Sequence, residues 1–526
     1  TLLDVDTGVD TNRTVITVVG DPVSIIQSAF NGIMKASELI DMRTHHGKHP
    51  RMGATDVCPF VPIAETSMDE CVEYSKKLAQ LVGKELKIPV YLYEYSATSK
   101  DRINLANVRS GEFEGMAEKL KSSEWKPDFG SAKPHVTAGV TAIGARNFLI
   151  AYNVNLNTKD KKIATDIAFD IREQGRNKRD TNGKFVRDEN GVPVKVPGKL
   201  KACKAVGWYI DEYGQAQVSI NLTNFNETPP HLAFEETREQ SRKRGTRVSG
   251  SELVGLIPLD AMLSAGKYYL QKQQRSTGIP TKDIIHIAVK SMGLDDLSPF
   301  DPNEKIIEYR IRDLYGPLAS MTIHGFSDEL SSDSPAPGGG SVSALAGALG
   351  ASLTSMVANL TFGKKKWLPK YDQMCAIAEN SQKLKYNLLE LIDVDTEAFN
   401  VVMETFQMPK KTDKQNETRN LAIDAAMKEA SKVPLESLKC CRAILDLALE
   451  AVNHCNPSSV SDAGVAAEMA SAGAHGAALN VLINLNDIKD ARFCKKMERE
   501  TQALMDETKK VLTKVRKTVS KIMNDA

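Results

Sequence analysis

The sequence changes character near residue 318, and this change constrains the fold more than any other feature. Before it, short apolar runs alternate with amphipathic stretches, as expected of strands and helices in turn. After it, strand signals almost disappear and helical periodicity covers 372–407, 415–453, 464–484 and 488–524. At 526 residues the chain has room for roughly three domains. We therefore predict an α+β half, a linker at 312–317 and an all-helical domain.

Within the α+β half the pattern predicts two units, 1–148 and 149–311. In the first unit the predicted strands are 14–20, 56–63 and 88–97, and the predicted helices are 22–42 and 67–86. We expect these helices to cover one face of a sheet. The second unit has strand signals at 147–157 and 206–225, separated by a basic segment, 173–204, that reads as an exposed hairpin-like excursion.

The overall composition excludes some classes of partner. A formal net charge of +1 provides no general field for nucleic acid. The eight cysteines are dispersed without a CxxC pair, which favours a reducing, cytoplasmic location. The sequence given does not open with the basic segment and apolar run that are typical of a secretory signal peptide. The segment 341–362 is long enough to span a membrane, but its Ser, Gly and Asn residues predict a buried helix and no membrane insertion.

The stretch "MRTHHGKHPRMGATDVCPF", residues 42–60, holds His45, His46 and His49, a third of the nine histidines. A metal site is one interpretation, but Gly47 and Pro50 interrupt the helical spacing and no HExxH or local Cys supplies further ligands. A histidine here is also suited to proton transfer, with neighbouring cations holding substrate carboxylates. The alternative is a solvated cationic turn, and spacing alone leaves it open.

Carboxylates and glycines mark three other candidate positions. Asp4 and Asp6 share one face of a predicted strand, where they orient a histidine or form a turn. The glycines of "APGGGSVSAL" begin a helix at 338–341, which suits an anion or a flexible helix entry. Two further aspartates, Asp393 and Asp395, point to nearly opposite helix faces, so at most one can serve a single pocket. Lastly, Asp462 precedes an alanine-rich helix as an N-cap or a functional carboxylate.

Together these segments resemble the formiminotransferase-cyclodeaminase family. The resemblance is carried by "DVDTG", "TNRTV", "LIDMRTHHGKHPRMGATDVCPF", "PDFGSAKPHVTAGVTAIGARNFLIAYNVNL", "VGWYIDEYGQAQVSINLTNF", "APGGGSVSALAGALGASLTSMV", "LIDVDTEAF" and "AALNVLINLNDIKD". These stretches occur in the family's order over essentially the whole chain.

The family implies a fold and an assembly. Residues 1–148 and 149–311 would be two similar transferase subdomains, and 318–526 a helical-bundle cyclodeaminase that pairs with another copy. Members usually carry a further strand and helix before "DVDTG", so the first subdomain is expected to lack them in this sequence. The resemblance also implies a cytoplasmic homo-oligomer, a ring of dimers forming an octamer.

The family also implies the chemistry. Its transferase moves a formimino group from N-formimino-L-glutamate to N5 of tetrahydrofolate, and its cyclodeaminase forms 5,10-methenyltetrahydrofolate and releases ammonia. Polyglutamylated tetrahydrofolate is the expected co-substrate, and no metal is expected. A metal-dependent hydrolase at His45, His46 and His49 and a non-catalytic scaffold are the rival functions, but retention of both the histidine and the aspartate motifs favours the enzyme.

The resemblance implies these site residues. His49 would be the transferase base, supported by Asp6 and Arg51, and Asp395 the cyclodeaminase catalyst. Lys48 and Arg51 are our candidates to clamp the glutamate carboxylates, and Asp462 to assist Asp395. Predicted folate-binding residues are Gly130, Ser131, Ala132, Lys133, Pro134, His135, Val136, Thr137, Ala138 and Gly139, with Gly338, Gly339, Gly340 and Ser341 as the helix-start site.

Overall fold

The computed structural model describes residues 1–8, 11–47, 49–64, 66–311, 316–363 and 365–525. The chain forms two compact units: the first contains Thr1–Ala265 and Met292–Ile311, and the second contains Gly266–Ser291 and Arg312–Ala526. Most of the predicted linker, 312–317, lies outside the described residues, as does Lys48. The domain boundaries drawn from sequence therefore stay predictions.

Within the described residues, the strands all belong to the first unit. They are β1 (Leu2–Gly8), β2 (Arg13–Val18), β3 (Val57–Phe60), β4 (Val90–Glu94), β5 (Thr141–Ala145), β6 (Ile150–Leu156), β7 (Arg176–Asn177), β8 (Lys195–Val196), β9 (Cys203–Ile210), β10 (Gln215–Leu222) and β11 (Val248–Val254). The helices up to residue 311 are α1 (Pro22–Leu39), α2 (Met68–Leu81), α3 (Lys100–Ile103), α4 (Leu105–Arg109), α5 (Glu112–Lys119), α6 (Lys161–Ile171), α7 (Pro230–Lys243), α8 (Leu259–Lys272), α9 (Thr281–Met292), α10 (Pro302–Lys305) and α11 (Ile307–Ile311).

The predicted helices 22–42 and 67–86 are confirmed as α1 and α2, and local capping explains where they start. The Asp21 carboxylate accepts hydrogen bonds from the backbone N–H groups of Val23 and Ser24. At α2, Ser67 and Glu70 form a reciprocal capping box. Such signals lie entirely within a few residues, which makes them readable from sequence.

The first sheet is parallel, in the order β3–β5–β4. On one face Leu92 belongs to a buried cluster with Ile33 of α1 and Leu78 of α2. On the other face Tyr91 packs in a cluster with Met116 of α5. The expectation that helices cover only one face is therefore wrong: the nearly continuous apolar run of β4 is that of a strand buried on both sides.

The second sheet is antiparallel, in the order β11–β6–β10–β9. Helix α6 packs on β9 and β10, and α7 packs on β6 and β11. Polar side chains lie on β6, β10 and β11 at Asn153, Asn155, Gln217 and Glu252, and hydrogen bonds join them to one another. The excursion 173–204 forms a hairpin in which β7 pairs with β8, as expected.

The second unit is helical. Its later helices are α12 (Ile323–Leu330), α13 (Gly339–Thr361), α14 (Tyr371–Phe406), α15 (Asp413–His454), α16 (Val460–Leu485) and α17 (Ala491–Asp525). Helix α13 packs against α14, α15 and α16. Among the described residues α13 alone has the length and composition of a membrane span, and 61% of its most apolar window is buried. A buried core helix gives the same pattern, as the sequence predicts.

Helices α13 and α16 run antiparallel at close range. A Cβ on Gly473 would lie 2.7 Å from the Ser343 carbonyl oxygen, so only glycine fits at this crossing. Towards the other end of the pair, Gly350 approaches the backbone of Ala466 and Ala470. This register fixes which residues of α16 lie beside the start of α13.

Helix α15 continues through Pro434 because a neighbouring helix replaces the missing hydrogen bond. Proline has no N–H to donate to the carbonyl four residues earlier, which here belongs to Ala430. The Asn484 side-chain amide of α16 donates to that carbonyl at 3.0 Å. The contact thereby satisfies a buried acceptor and ties two core helices together.

We predict that Asn484→Ala lowers the free energy of unfolding by about 1–3 kcal/mol, because the buried Ala430 carbonyl loses its donor. Urea unfolding followed by circular dichroism would measure the change. Asn416→Ala, at an exposed position of α15, is the matched control and should have little effect. Equal destabilisation by the two substitutions would contradict this role of Asn484.

Candidate functional site

Backbone hydrogen bonds hold the histidine segment beside the predicted folate loop. The Met42 N–H donates to the Thr137 carbonyl at 2.8 Å, and the Ala54 N–H donates to the Ala138 carbonyl at 2.9 Å. Residue Gly139 has φ +71°, and a Cβ there would lie 2.5 Å from the backbone of Met52. The structure therefore brings the 130–139 loop and the segment that carries His49 together.

The His49 imidazole contacts the Pro50 carbonyl and the Arg13 guanidinium. Its Nε2 lies 2.6 Å from an Arg13 guanidinium nitrogen, and its Nδ1 lies 2.7 Å from the Pro50 carbonyl oxygen. Because a carbonyl only accepts, Nδ1 carries the proton and Nε2 is the unprotonated nitrogen. The same Arg13 nitrogen also lies 3.2 Å from Nδ1, so it approaches the ring from the side and leaves the Nε2 lone pair uncovered. Burial, followed by the positive charge of Arg13, lowers the pKa of His49 below its ordinary value, so the imidazole is neutral near pH 7.

Three other arginines of this region already have carboxylate partners. Arg43 pairs with Asp41, Arg51 with Glu112 and Glu114, and Arg109 with Asp56, with N···O distances of 2.6–3.0 Å. The expectation that Arg51 clamps a substrate carboxylate does not fit this geometry, because two protein carboxylates occupy its guanidinium. Arg51 also donates to the His45 carbonyl at 3.1 Å, which makes it a brace for the histidine segment.

Asp6 has different neighbours from His49. Burial raises the pKa of Asp6, and so does the nearby charge of Asp4, whereas Lys305 lowers it. The antiparallel register places Asp6 opposite Val15, and Arg13 opposite Gly8, one pair further along the same face. Asp6 and Arg13 are therefore diagonal neighbours on this face, and the usual spacing of such pairs puts their Cα atoms roughly 7–8 Å apart. One face of the hairpin carries an anionic and a cationic position side by side.

A polar cluster around Glu252, which the sequence did not reveal, is close enough to Asp6 to affect its pKa. Glu252, whose charge raises the Asp6 pKa, accepts hydrogen bonds from Tyr213 at 3.0 Å and from Asn153 at 3.1 Å. Its signal was present in "NVNL" and "QVSINL", where polar residues alternate with apolar ones on strands that are otherwise buried.

The structure does not assemble the histidines into a metal centre. His45 Nε2 hydrogen-bonds to the Asn12 carbonyl at 2.9 Å, and His49 Nδ1 donates to the Pro50 carbonyl at 2.7 Å. Within the part of the chain that the structure describes, no group of three or more His, Cys, Asp or Glu side chains is arranged as metal ligands. The metal interpretation of this cluster has no support from the geometry.

Asp393 and Asp395 have separate tasks, as their spacing predicts. Asp393 is buried and accepts from the backbone N–H groups of Leu318 at 2.8 Å and Ala319 at 3.1 Å, so it anchors the entry to the helical unit. Asp395 faces the start of α13, where a Cβ on Gly340 would lie 2.1 Å from its Oδ1. Ser341 Oγ lies 3.4 Å from its Oδ2.

The start of α13 already holds an anion, which is the carboxylate of Asp395. No side chain caps this helix at Gly338, so its first N–H groups are available to a carboxylate. Burial raises the pKa of Asp395, while hydrogen bonds from Ser341 lower it. Asn480 of α16 reaches the same place, since a Cβ on Gly339 would lie 3.1 Å from its amide nitrogen.

Asp462 does not lie near Asp395 within the chain, so the expectation of an adjacent helper is wrong for a single copy. The antiparallel register sets Asn480 beside the start of α13, and Asp462 lies 18 residues earlier on α16. At 1.5 Å per residue this separation is about 27 Å. Sequence reasoning missed it because the pairing of the two helices is not a local property.

Comparison with known proteins identifies the family. The formiminotransferase-cyclodeaminase model matches 322–503, the N-terminal subdomain model of the formiminotransferase domain matches 1–146, and the formiminotransferase domain model matches 151–312. A formimidoyltransferase-cyclodeaminase of Dictyostelium discoideum is 42% identical over 519 residues, which cover 98% of this chain and 92% of that protein. This chain belongs to the formiminotransferase-cyclodeaminase family.

Each half of this family member also has relatives of its own. A glutamate formimidoyltransferase of Streptococcus pyogenes is 47% identical over 271 residues, which cover 52% of this chain and 83% of that protein. A methenyltetrahydrofolate cyclohydrolase of Methylorubrum extorquens is 39% identical over 203 residues, which cover 39% of this chain and 98% of that protein. The predicted family and the two-part architecture are confirmed.

Gly340→Ala should displace the Asp395 carboxylate, because the added Cβ would lie 2.1 Å from its Oδ1. We predict that it slows the cyclodeaminase step by about 100-fold or more while the transferase step is retained. Gly464→Ala is the control, since its nearest contact, 3.4 Å from Val519, is ordinary. Full cyclodeaminase activity of Gly340→Ala would contradict the placement of Asp395.

Proposed function

We propose that this chain transfers a formimino group from N-formimino-L-glutamate to N5 of tetrahydrofolate and then cyclises the product to 5,10-methenyltetrahydrofolate with release of ammonia. The observation that supports it is a pair of partly buried titratable groups, one in each unit: neutral His49 in the first and Asp395 in the second. Family membership over nearly the whole chain supports the same assignment.

In the transferase step N5 attacks the formimino carbon and forms a tetrahedral centre. His49 accepts the N5 proton and returns it to the glutamate nitrogen, and the bond from carbon to that nitrogen then breaks. A neutral imidazole is the form that accepts a proton, which fits the lowered pKa of His49. Glutamate leaves with the proton, and 5-formiminotetrahydrofolate remains.

The charges on the hairpin complement this substrate. N-formiminoglutamate carries a cationic amidine at one end and carboxylates at the other. Asp6, with Asp4 and Glu252 nearby, offers negative charge to the amidine, while Arg13 offers a guanidinium to a carboxylate. The loop 130–139 beside the histidine segment is the proposed contact for folate.

In the cyclodeaminase step N10 attacks the same carbon within one molecule, so the folate skeleton already provides proximity. Asp395 takes the N10 proton and passes it to the departing nitrogen, which leaves as ammonia. A partly buried carboxylate with a raised pKa accepts and releases a proton more readily near neutral pH than an exposed one. Gly340 and Ser341 lie against this carboxylate, and Asn480 lies against Gly339. Gly338–Ser341 and Asn480 are the proposed folate contacts here.

Purified protein supplied with N-formiminoglutamate and tetrahydrofolate should release glutamate and then ammonia as methenyltetrahydrofolate absorbance rises. We predict that His49→Ala lowers glutamate release by about 100-fold or more, and that Asp395→Asn lowers ammonia release from 5-formiminotetrahydrofolate as strongly. Each variant should retain the other step. Loss of both steps in either variant, with the fold intact by circular dichroism, would refute the assignment.

The cyclohydrolase relative makes hydrolysis a second candidate for the helical unit, since water would attack the same carbon. Supplying methenyltetrahydrofolate directly separates the two. A deaminating cyclase lets it persist and forms it from the formimino compound, whereas a cyclohydrolase consumes it and releases no ammonia.

The finer features of this function are also proposals. Polyglutamylated tetrahydrofolate is the proposed co-substrate and the cytoplasm the proposed location. We propose that no metal takes part, because the steps above need only proton transfers, which His49 and Asp395 can perform. No nucleic acid or membrane partner is proposed. A homo-oligomer, arranged as an octameric ring of dimers, is the proposed assembly.

An apolar stripe on the helical unit supports the oligomer. Antiparallel α13 and α16 leave apolar side chains exposed along their outer faces, which is a common feature of interfaces. These are Val342, Leu349, Met356, Leu360, Val465, Leu479, Leu482 and Ile483. A second copy of the chain is the proposed cover, because each copy presents the same long stripe and an isologous contact would bury both.

We predict that Leu349→Asp combined with Leu479→Asp reduces the native mass in analytical ultracentrifugation, because two charges would enter the proposed interface. Leu421→Asp, at a 67% exposed position on α15, is the matched control and should leave the mass unchanged. An unaltered mass in the double variant would exclude the α13–α16 stripe as the interface.

A further inference from the structure

A basic segment follows the end of α13 and belongs to neither of the two sites described above. Residues 363–370, "GKKKWLPK", contain four lysines and no acidic residue. Three of these lysines, Lys365, Lys366 and Lys370, lie in a short 3₁₀ helix, Lys365–Lys370, between α13 and α14. In a chain whose formal net charge is only +1, this segment is a local concentration of positive charge.

The basic segment is held at its base. Phe362 and Tyr371 flank it, and their rings stack with centroids 4.2 Å apart. The Lys370 ammonium lies 3.2 Å from Nδ1 of His454, at the end of α15. Because an ammonium only donates, Nδ1 accepts, and Nε2 of the neutral imidazole carries a proton that it can donate.

The protein does not neutralise these lysines. The Lys366 and Lys370 ammonium groups lie 5.6 Å and 5.2 Å from the centroid of the Trp367 ring. Within the described residues these two groups and the ammonium of Lys365 have no carboxylate within ion-pair distance, and Lys370 instead contacts His454. The segment therefore offers positive charge and hydrogen-bond donors to an anion.

We propose that the basic segment binds the glutamate tail of a polyglutamylated folate, through Lys365, Lys366 and Lys370 with Trp367 and His454 as further contacts. The proposal rests on the function proposed above, in which folate is the co-substrate. It deepens that function by assigning a subsite to the part of the folate that does not react. Each γ-linked glutamate carries one free carboxylate, so the tail is a flexible polyanion.

The chemistry of the segment favours a ligand with several carboxylates. An exposed ion pair in water contributes little, so a single carboxylate would not be held here. A tail whose folate end occupies the catalytic site presents its carboxylates at a high effective concentration, and several weak contacts then add. Lysines suit such a chain, because an ammonium on a flexible stem acts as a point charge and needs no fixed geometry.

The position of the segment sets the length of tail that it can bind. The segment follows the end of α13, whereas Asp395 lies at its start, and the distance from Gly340 to Thr361 is about 32 Å at 1.5 Å per residue. A γ-linkage puts two more carbons into each repeat than an α-peptide, which lengthens the extended repeat from about 3.5 Å to roughly 6 Å. Within one copy, a tail of about five glutamates therefore reaches the segment, and a single glutamate does not.

Fluorescence anisotropy of fluorescein-labelled γ-linked penta-L-glutamate tests the site without the pteridine. We expect Lys366→Gln combined with Lys370→Gln to raise its Kd by at least about tenfold, because two facing charges are lost. Lys432→Gln combined with Lys439→Gln is the matched control: it makes the same charge change on α15, but each of these lysines already pairs with a glutamate. An unchanged Kd in the Lys366 and Lys370 double variant, folded by circular dichroism, or no binding by the wild type, would overturn the proposal.

Kinetics provide a second readout, with 5-formiminotetrahydrofolate that carries either one or five glutamates. The wild type should have the lower KM for the five-glutamate substrate, and the double variant should lose at least about tenfold of this preference through KM and not through kcat. A preference that is retained in the double variant would contradict a tail site at this segment.

Two further results would assign the segment to another ligand and overturn the proposal. Tighter binding of α-linked than of γ-linked pentaglutamate would indicate an acidic protein segment as the partner. Displacement of the probe by inorganic tripolyphosphate but not by unlabelled γ-linked pentaglutamate would indicate a phosphate ligand. If the protein lacks cyclodeaminase activity while the double variant still loses γ-linked pentaglutamate, the proposed function fails and the tail site stands.

Discussion

Residues 42–56 have almost no regular secondary structure, and the first site depends on how their backbone is held. Met42 and Ala54 donate hydrogen bonds to residues 137 and 138, and Val140 donates back to Met52. At the buried positions of an irregular segment the backbone polar groups must find partners outside it, and here these partners come from the predicted folate loop and the residue that follows it. The constraint that holds His49 therefore also sets the 130–139 loop beside it.

The two sites place partly buried titratable groups in opposite electrostatic environments. His49 lies beside a cation and carries no charge near pH 7, while Asp395 lies beside the positive start of α13. A neutral base next to a guanidinium suits a substrate that brings its own negative charge. A carboxylate at a helix start suits a cationic amidine that loses ammonia. These environments match the two amidine reactions assigned to the halves.

The features that could be predicted from the sequence are those that depend on local signals, such as helix starts, or on the family's motifs, such as the site residues. Helices α1 and α2 begin at Asp21 and Ser67, whose capping patterns span a few residues. Resemblance singled out His49 and Asp395, and the structure places the segment that carries His49 beside the predicted folate loop and Asp395 at the start of α13. Neither placement tests their catalytic roles, which stay predictions.

What sequence missed depends on contacts between distant residues. Arg13 meets His49 across 36 positions, and no local pattern marks that pair. The prediction that Asp462 assists Asp395 was wrong because the antiparallel register of α13 and α16 places Asp462 at the far end of α16 from the start of α13. The carbonyl left unpaired by Pro434 is predictable from the rule for proline, but its donor Asn484 on another helix is not.

The most direct test of the central claim, two chemically independent sites on one chain, is complementation. His49→Ala and Asp395→Asn proteins are assayed for methenyltetrahydrofolate from N-formiminoglutamate and tetrahydrofolate, separately and as an equal mixture. The account predicts that neither variant completes the sequence alone and that the mixture does, after a lag while 5-formiminotetrahydrofolate accumulates. A mixture of the two folded proteins that forms no methenyltetrahydrofolate would contradict it.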